Sequence, residues 1–275
     1  MRILAINDIS CVGKCSLTVA LPIISAAGFT CDILPTAILS THTGGFTNYT
    51  FRDLSEDIPS VLKHWKSLGL QYDIIISGYL GSIQQVEMVK NIKREFLKNG
   101  GLMVVDPVLG DNGKLYAHFD QNFVNEMKGL CREANYIVPN LTEACFLTNT
   151  SFKSAEEAQN YTEILQILNT LCPHSSITGC DEHNLSTVYY TDEAGEIKSY
   201  STEKIQGQFH GAGDVYAGAF VGALANGLSV ANSVRVSADY TKAAIEQTAL
   251  DKTEARYGLN FESKIFGYLQ SLHER

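Results

Sequence analysis

The sequence predicts an α/β fold with three layers, in which helices cover both faces of a mostly parallel central sheet. Short apolar segments recur along the chain, and segments with helical periodicity lie between them. The apolar segments show no polar alternation, which is typical of strands that are buried on both faces. These expected strands are RILAIN (2–7), YDIIIS (72–77), GLMVVD (101–106), NYIVPN (135–140) and SSIT (175–178).

Helices are expected where apolar residues recur at spacings of three and four. After residue 184, STVYYTD and IKSYST flank an Ala-Gly-Glu turn, which predicts a hairpin, and the C-terminal third is mostly helical in pattern. No linker rich in Pro and Ser, no repeat and no low-complexity segment divides the sequence, so we expect one domain over residues 1–275. The expected helical segments between the strands are 54–68, 84–99, 119–131 and 154–171.

Composition favours a protein that binds a small molecule. The chain has 275 residues, of which 45% are hydrophobic, so it can bury a large core. The net charge of -9 comes without a basic stripe, which argues against nucleic acid or an anionic membrane as partner. No apolar stretch approaches the ~18 residues of a membrane span, and the 7 cysteines include no CxxC pair. We therefore expect a cytoplasmic protein with reduced thiols.

The segment CVGKCS (11–16) contains a Gly-Lys pair like that of nucleotide-binding P-loops. A P-loop places a glycine five residues before this pair and a hydroxyl residue after it, so that backbone N–H groups can face the phosphate. Here Asp8 occupies the place of the first glycine and Cys15 that of the hydroxyl. A carboxylate would repel phosphate. We therefore expect the phosphate site elsewhere.

Polar, small or acidic residues follow each expected strand. In open parallel sheets, ligands bind beyond the carboxyl ends of the strands. Ordinary strand termination is the other interpretation, and it explains the glycines and prolines better than it explains an aspartate after LMVV. We predict a shared site at this edge, formed by Asn7-Asp8, Ser77-Gly78-Tyr79, Asp106-Pro107, Pro139-Asn140 and Thr178-Gly179.

The segment FHGAGDVYAGAFVGALANG (209–227) indicates an anion site. Gly211 and Gly213 precede an expected helix, and the first N–H groups of a helix have no partner within it. Asp214 lies at the same terminus, where the helix dipole favours a negative charge, and we expect it to stay ionised as a general base must. An ordinary N-cap is an equally good interpretation. The run lacks a third glycine and is far from the first strand, which excludes a dehydrogenase fingerprint.

Taken together, the chain resembles the vitamin B6 kinases, which phosphorylate pyridoxal, pyridoxine and pyridoxamine, within the ribokinase-like superfamily. GAGD resembles the GTGD motif of that superfamily, and the other matching segments occur in family order over nearly the whole chain. The resemblance implies a ribokinase-like fold and ATP-dependent phosphorylation of the 5′-hydroxymethyl group of a B6 vitamer. The matching segments are RILAIN, LSTHTGGF (39–46), SGYLGS (77–82), DPVLGDNGKLY (106–116), VPNLTEA (138–144) and GAGD (211–214).

The resemblance also implies roles for individual residues. Asp214 would take the proton of the 5′-hydroxymethyl group, and the backbone N–H groups of Gly211, Ala212 and Gly213 would bind the transferring phosphoryl oxygens. The acceptor pocket would contain Asp8, Leu39, His42, Thr43 and Tyr79. The nucleotide region would contain Asp106, Tyr116, Asn140, Glu143 and Thr178.

Within the nucleotide region, Asp106 and Glu143 are the candidate ligands of a Mg²⁺ that accompanies ATP, in part through water. For these residues, capping and turn formation are the other interpretation. The resemblance further implies K⁺ as an activating cation and a homodimer. It also implies that CVGKCS begins the first helix beside the acceptor ring, with Lys14 at an exposed position or on the rim of the site.

Two residues depart from the B6 pattern. Ala212 replaces the usual Thr, which removes a hydroxyl but no backbone N–H. Asp8 stands where B6 kinases usually have Ser, whereas an Asp is typical of the related hydroxymethylpyrimidine kinases of thiamine synthesis. A hydroxymethylpyrimidine kinase is therefore the nearest alternative, and a protein that binds B6 or nucleotide without turnover is the alternative from another class.

Overall fold

The computed structural model describes residues 1–274, except for the side chains of residues 157 and 158. The strands are β1 (Arg2–Ser10), β2 (Thr30–Leu39), β3 (Phe51–Asp53), β4 (Tyr72–Ser77), β5 (Leu97–Val105), β6 (Gly110–Asp111), β7 (Lys114–Leu115), β8 (Tyr136–Ile137), β9 (His174–Glu182), β10 (Leu185–Thr191) and β11 (Ile197–Glu203). The helices are α1 (Leu17–Ala26), α2 (Ile58–Ser67), α3 (Ile83–Phe96), α4 (Gln121–Glu133), α5 (Leu141–Thr148), α6 (Phe152–Ala158), α7 (Tyr161–Leu168), α8 (Ala212–Ala225), α9 (Val230–Leu250) and α10 (Ile265–His273).

Nine of these strands form one sheet in the order β11-β10-β9-β8-β5-β4-β1-β2-β3. The pairs from β9 to β2 are parallel, whereas β3, β10 and β11 each pair antiparallel with a neighbour. β10 and β11 form the hairpin that the sequence predicts after residue 184. The prediction of a mostly parallel central sheet is confirmed.

Both faces of the sheet are covered, because alternate side chains of a strand point to opposite faces. In β1, Leu4 and Ile6 pack into an apolar cluster that includes residues of α2, α3, α4, α5 and α7. Their neighbours Ile3 and Ala5 pack into a second cluster with residues of α1, α8 and α9. These four side chains are at most 1% exposed, so β1 is buried on both faces. The three-layer architecture is confirmed.

The order of the strands reverses around β1. The chain passes from β1 to β2 on one side, and after β3 it crosses to β4 on the other side of β1. In open α/β sheets a crevice forms beyond the carboxyl ends of the strands at such a reversal. The fold therefore places the ends of β1 and β4, with Asn7 and Gly78, at the position where a ligand site is expected.

Strand β2 is absent from the sequence prediction. Its segment TCDILPTAIL contains Pro35, and a proline inside a run argues against a strand because it cannot donate a ladder hydrogen bond. Pro35 lies opposite Asn7, next to a shift in the pairing register between Asn7 and Ile9. Since the ladder is already irregular there, the sheet accommodates the proline.

Several element boundaries also differ from the prediction. The expected helix 84–99 ends at Phe96, and β5 follows directly at Leu97. The expected helix 154–171 is divided into α6 and α7, because Gln159 adopts a left-handed conformation with φ of 50°. The expected strand 135–140 pairs only over two residues, since Asn140 already caps α5.

Candidate active site

The ends of the parallel strands do meet at one edge of the sheet. Backbone hydrogen bonds continue the strand pairing past the strand ends, from Gly78 N–H to Ile6 C=O and from Asp106 N–H to Ser77 C=O. Asn140 and Thr178 form an isolated bridge further along the same edge. A cavity between this edge and α8 is lined by polar side chains from three different elements, Asn7, Asp106 and Asp214. The structure thus joins the GAGD segment to the strand ends.

Asp214 lies in the first turn of α8 and faces the ends of β1 and β4. Its Oδ1 accepts a hydrogen bond from Asn7 Nδ2 at 3.4 Å, and the backbone N–H of Ser16 also donates to its carboxylate. Burial raises the pKa of Asp214 to about 6, the negative charge of Asp8 adds to the increase, and the two donors oppose it. Although the sequence analysis expects the helix dipole to keep Asp214 ionised, burial is the larger effect. A group with this pKa is still mostly ionised at neutral pH.

If Asp214 is the general base that the resemblance implies, its pKa predicts an acid limb in the pH profile of activity. Because a general base must be ionised, kcat/KM is expected to rise about tenfold per pH unit below pH 6 and to level off above it. Initial rates between pH 5 and 8 with two acceptors that ionise differently would separate this limb from titration of the substrate. A limb near pH 4, or none at all, would contradict the assignment of Asp214.

The loop before α8 presents unpaired backbone donors next to Asp214. Gly211 is the N-cap and has φ of 80°, and a Cβ there would lie 2.4 Å from the carbonyl oxygen of Lys14. A Cβ at Gly213 would meet nothing within 4 Å. Helix α8 begins at Ala212, so the N–H groups of its first turn have no acceptor within the helix. This arrangement can bind an anion beside a carboxylate.

Asp8 is buried at 6% exposure and holds the loop that follows β1. Its Oδ2 accepts a hydrogen bond from Ser10 Oγ at 3.1 Å, and its Oδ1 accepts one from Ser16 Oγ at 2.5 Å. Burial raises the pKa of the Asp8 carboxyl, and the two serine hydroxyls counteract part of that increase. A carboxylate can accept about four hydrogen bonds, so Asp8 retains capacity for a ligand.

Among the other expected acceptor residues, Tyr79 is hydrogen-bonded to Asn7, the residue before Asp8. Its backbone N–H donates to Asn7 Oδ1 at 2.8 Å, and burial, followed by the charge of Asp8, raises the pKa of its phenol to about 12. Leu39 is buried at the end of β2, where it pairs with Ser10, whereas Thr43 is exposed.

Both ring nitrogens of His42 form hydrogen bonds within the protein. Its Nδ1 accepts a hydrogen bond from Gly44 N–H at 3.0 Å, so the proton lies on Nε2, which donates to the carbonyl of Arg256 at 2.6 Å. A Cβ at Gly13 would lie 2.4 Å from the imidazole ring. Burial lowers the pKa of His42, in keeping with a neutral ring. The sequence analysis expects His42 to contact the ligand, but in this structure its polar atoms hold the loop 41–46 against Arg256.

The nucleotide-side residues form a buried acidic cluster. Asn140 and Glu143 make a capping box at the start of α5, in which Asn140 Oδ1 accepts from Glu143 N–H and Glu143 Oε2 accepts from Asn140 N–H. Glu143 Oε1 accepts from Leu109 N–H. Burial raises the pKa of both Glu143 and Asp106. The charge of Asp106 further raises the pKa of Glu143, and the charge of Asp214 further raises that of Asp106. The capping interpretation therefore describes the geometry of Asn140 and Glu143.

Tyr116 and Thr178 flank this cluster. Tyr116 is 41% exposed, and burial, followed by the charge of Glu143, raises the pKa of its phenol. Thr178 N–H donates to Pro139 C=O, which holds it beside Asn140. Both residues are thus placed at the edge where the sequence analysis expects the ATP phosphates.

Asp106 and Glu143 fit a magnesium ion whose remaining ligands are oxygen atoms of water and of substrate phosphates. Among the side chains that the structure describes, no three of His, Cys, Asp or Glu converge closely enough to hold a metal by themselves. Mg²⁺ prefers oxygen ligands and keeps several waters and substrate phosphates in its coordination shell. Asp106 supplies a buried carboxyl group for it, whereas both oxygens of Glu143 already accept backbone hydrogen bonds, so Glu143 fits contact through water.

Lys14 does not lie over a phosphate site. Its Nζ donates to Asn260 Oδ1 and Glu262 Oε2, both at 2.9 Å, and its backbone N–H donates to Tyr257 C=O. The side chain is 33% exposed, as expected for a residue on the rim. The segment CVGKCS forms the loop between β1 and α1, and α1 begins one residue after it, at Leu17.

Sequence reasoning missed the residues that hold Asp214 and Asp8 in place. Asn7 was predicted as part of the polar edge of the sheet but without a partner, and Ser16 was named only as part of CVGKCS. Ser16 has φ of 53°, which is unusual for a non-glycine residue and lets its N–H and hydroxyl serve two different carboxylates. The only signal available in the sequence was a pair of polar residues after an apolar run, which does not reveal their partners.

A known protein family matches most of this chain. The family model of the phosphomethylpyrimidine kinases matches residues 30–258. This chain belongs to the phosphomethylpyrimidine kinase family. Membership confirms the predicted relationship to the kinases of the ribokinase-like superfamily. Within residues 1–274, no helix has both the length and the apolar character needed to cross a membrane.

Solved members of the superfamily are similar over almost the whole chain. A pyridoxal kinase from Lactobacillus plantarum is 32% identical, with 98% of this chain and 96% of that chain covered and a TM-score of 0.89. A Bacteroides thetaiotaomicron protein assigned as a phosphomethylpyrimidine kinase and solved with pyridoxal is also 32% identical, with coverage of 98% and 95% and a TM-score of 0.90. These relatives confirm the resemblance to the vitamin B6 kinases.

A protein of Saccharomyces cerevisiae that is assigned as a pyridoxal kinase is 26% identical over 203 residues. The match covers 68% of this chain and 63% of the yeast protein. Similarity to the vitamin B6 kinases thus extends to a eukaryotic protein, although the aligned region is less than two thirds of its length.

Proposed function

We propose that this protein is an ATP-dependent kinase that phosphorylates the 5′-hydroxymethyl group of a vitamin B6 vitamer. The position of Asp214 carries the proposal, because a carboxylate with a pKa of about 6 lies directly beside unpaired N–H groups at the start of α8. An alcohol acceptor needs a base at its oxygen, and phosphoryl transfer needs donors at the oxygens of the moving group. The relatives solved as a pyridoxal kinase or with pyridoxal support this substrate class.

In the proposed reaction, the Asp214 carboxylate accepts the proton of the acceptor hydroxyl as the hydroxyl oxygen attacks the γ-phosphorus of ATP. A new P–O bond forms to the acceptor, and the bond between that phosphorus and the β,γ-bridging oxygen breaks, so that ADP leaves. The proton on Asp214 is then released to water. Because the base and the anion-binding N–H groups lie on one helical turn, their relative positions are set before the substrates bind.

The N–H groups of Gly211, Ala212 and Gly213 bind the transferring phosphoryl oxygens in this proposal. Substitution of the family's Thr by Ala212 leaves these backbone donors in place. When bound, Mg²⁺ neutralises phosphate charge, with Asp106 and Glu143 as the residues that would hold it, Glu143 through water. Tyr116, Asn140 and Thr178 line the adjacent edge and serve the nucleotide phosphates.

The acceptor ring would lie between Tyr79 and Asp8. Tyr79 offers a flat apolar face, and Asp8 accepts hydrogen bonds from a ring hydroxyl, a protonated pyridine nitrogen or an amino group. Leu39 and Thr43 belong to the same end of the site. His42 contributes by fixing the loop 41–46, since its two ring nitrogens are bonded to backbone groups.

A hydroxymethylpyrimidine kinase is the second candidate function, because Asp8 and the matching family model both point to it. Both ring systems offer a donor to Asp8, so the other contacts decide between them. We expect the highest kcat/KM for a B6 vitamer and slower turnover of hydroxymethylpyrimidine. Release of ADP, measured with pyridoxal, pyridoxine, pyridoxamine and hydroxymethylpyrimidine, tests this order. A higher kcat/KM for hydroxymethylpyrimidine would overturn it, and ligand-induced heat stability without ADP release would indicate a binding protein.

Replacement of Asp8 by Ser is expected to increase the selectivity of the enzyme for B6 vitamers over hydroxymethylpyrimidine. The change replaces a charged acceptor with the hydroxyl that B6 kinases usually have at this position. A hydroxyl binds the pyrimidine amino group more weakly than a carboxylate does, but it can also donate to the ring hydroxyl oxygen of a B6 vitamer. The ratio of kcat/KM for pyridoxal to that for hydroxymethylpyrimidine should therefore rise about tenfold, the worth of one hydrogen bond to a charged group. The same two assays on the variant and the parent measure this ratio. An unchanged ratio would remove Asp8 from ring selection.

Activation by K⁺ and a homodimer stay predictions. Replacement of K⁺ by Na⁺ in the ADP-release assay would test the first. Light scattering of the purified protein would test the second.

A further inference from the structure

We propose that Asn7 is a positioning residue, whose side-chain amide holds the carboxylate of Asp214 in the orientation needed to accept the proton. This inference rests on the proposed function of Asp214 as general base. Asn7 is 7% exposed and lies in the second half of β1, across the edge of the sheet from the start of α8. It brings a residue of the first strand into contact with a residue 207 positions later in the chain.

The orientation of the Asn7 amide is determined by its neighbours. Its Oδ1 accepts hydrogen bonds from two backbone donors, Tyr79 N–H at 2.8 Å and Asp8 N–H at 3.0 Å. A flipped amide would place its NH₂ group against both donors, so the NH₂ group must lie on the other side. On that side it meets Asp214 Oδ1 at 3.4 Å. Asn7 therefore acts as a donor to Asp214.

Two features of the chain around Asn7 accommodate this amide. The pairing of β1 with β2 shifts register between Asn7 and Ile9, and such an irregularity re-aims a side chain at the end of a strand. At the end of β4, a Cβ on Gly78 would lie only 2.2 Å from Asn7 Nδ2. Gly78, the first glycine of SGYLGS, is thus required at this position, because any side chain there would collide with the Asn7 amide.

The distance of 3.4 Å is long for a hydrogen bond, and bonds of this kind often shorten when the substrate binds. A carboxylate without such a donor can rotate about its terminal torsion, and small errors in its position slow proton transfer. Asn7 and the Ser16 N–H approach Asp214 from β1 and from the loop before α1. Loss of the Asn7 donor should therefore lower kcat and leave substrate binding intact.

Asn7→Asp is the most specific test, because the new side chain has the same shape and keeps both acceptor bonds to Tyr79 N–H and Asp8 N–H. The donor to Asp214 is replaced by a second carboxylate, whose negative charge should also raise the pKa of Asp214 and move the acid limb to higher pH. We expect kcat to fall about 10- to 100-fold, the usual worth of a hydrogen bond to a charged group, with KM for ATP and for pyridoxal within about threefold. Gly78→Ala, which displaces the same amide from the other side, is a second variant and should lower kcat in the same way.

A double-mutant cycle separates positioning from general damage to the fold. If Asn7 acts through Asp214, Asn7→Asp should cause no further loss of kcat in an Asp214→Asn background. The matched control is Asn135→Asp, because Asn135 also accepts a backbone hydrogen bond, from Met103 N–H at 2.7 Å, but has no contact with Asp214 in the structure. This control should keep kcat within about twofold of the parent.

Three results would overturn the role of Asn7. They are an unchanged kcat in both folded variants, a rise of KM for pyridoxal in place of a fall of kcat, and an equal loss of kcat with and without Asp214. If Asp214→Asn itself retains full turnover, the general base has been assigned wrongly and the proposed mechanism fails. Failure of the proposal for Asn7 alone is therefore distinguishable from failure of the proposed function.

Discussion

Replacement of Asp214 by Asn is expected to lower kcat about 10² to 10⁴ fold, because the amide cannot accept the proton of the acceptor hydroxyl. This loss corresponds to about 3 to 5 kcal/mol of activation free energy. The Asn side chain has nearly the shape of Asp, and its oxygen can still accept the hydrogen bond from Asn7 Nδ2. KM for ATP and for pyridoxal should therefore stay within a few fold of the parent values.

Steady-state ADP release at saturating substrate measures this effect, and thermal unfolding of the variant confirms that it is folded. The acid limb near pH 6 should also disappear from the residual activity, since the group that titrates has been removed. Near-normal turnover in a folded Asn variant would exclude Asp214 from the chemical step.

Replacement of Gly213 by Val is expected to reduce kcat at least about 10² fold, comparable to the loss of a donor from an oxyanion hole. A Cβ at Gly213 meets no atom within 4 Å, so the added side chain enters open space beside the first N–H groups of α8. In the proposed function this space holds the transferring phosphoryl group. Stability should change by less than about 1 kcal/mol and should not decrease, because Val has a higher helix propensity than Gly and the Cβ meets no atom.

Two neighbouring changes serve as controls for Gly213→Val. Gly211→Ala should destabilise the fold, because its Cβ would lie 2.4 Å from the Lys14 carbonyl oxygen at a left-handed φ of 80°. Lys14→Ala should leave the KM for ATP within a few fold, since its Nζ bonds Asn260 and Glu262 on the rim. If Lys14→Ala abolishes ATP binding while Gly213→Val is active, the phosphate site lies at CVGKCS and the assignment of the anion site is wrong.

The parallel sheet and its two helical layers were predictable because burial on both faces produces continuous apolar runs. Strand β2 was not predictable in this way, because its segment contains Pro35. The sheet accommodates this proline where the pairing of β1 with β2 is irregular. The division of segment 154–171 into two helices was also not predictable from the sequence. It depends on a left-handed backbone at Gln159, a conformation that nothing in the periodicity of the segment indicates.

The chemical identity of the site was predictable where motif and local structure coincide. Gly211, Gly213 and Asp214 lie within one helical turn, so their spacing in the sequence already fixes their spacing in the molecule. The conformation of His42 was not predictable, because its hydrogen bond to the Arg256 carbonyl spans 214 residues.

By itself, the sequence determined the α/β class, the polar edge of the sheet and the GAGD turn, because each depends on interactions between residues that are close in the chain. The tertiary structure alone decided which polar groups meet. It placed Asn7 beside Asp214, bonded Asp8 to Ser10 and Ser16, and directed Lys14 away from the site. It also raised the pKa of Asp214, since desolvation depends on everything packed around a group and the local sequence does not specify it.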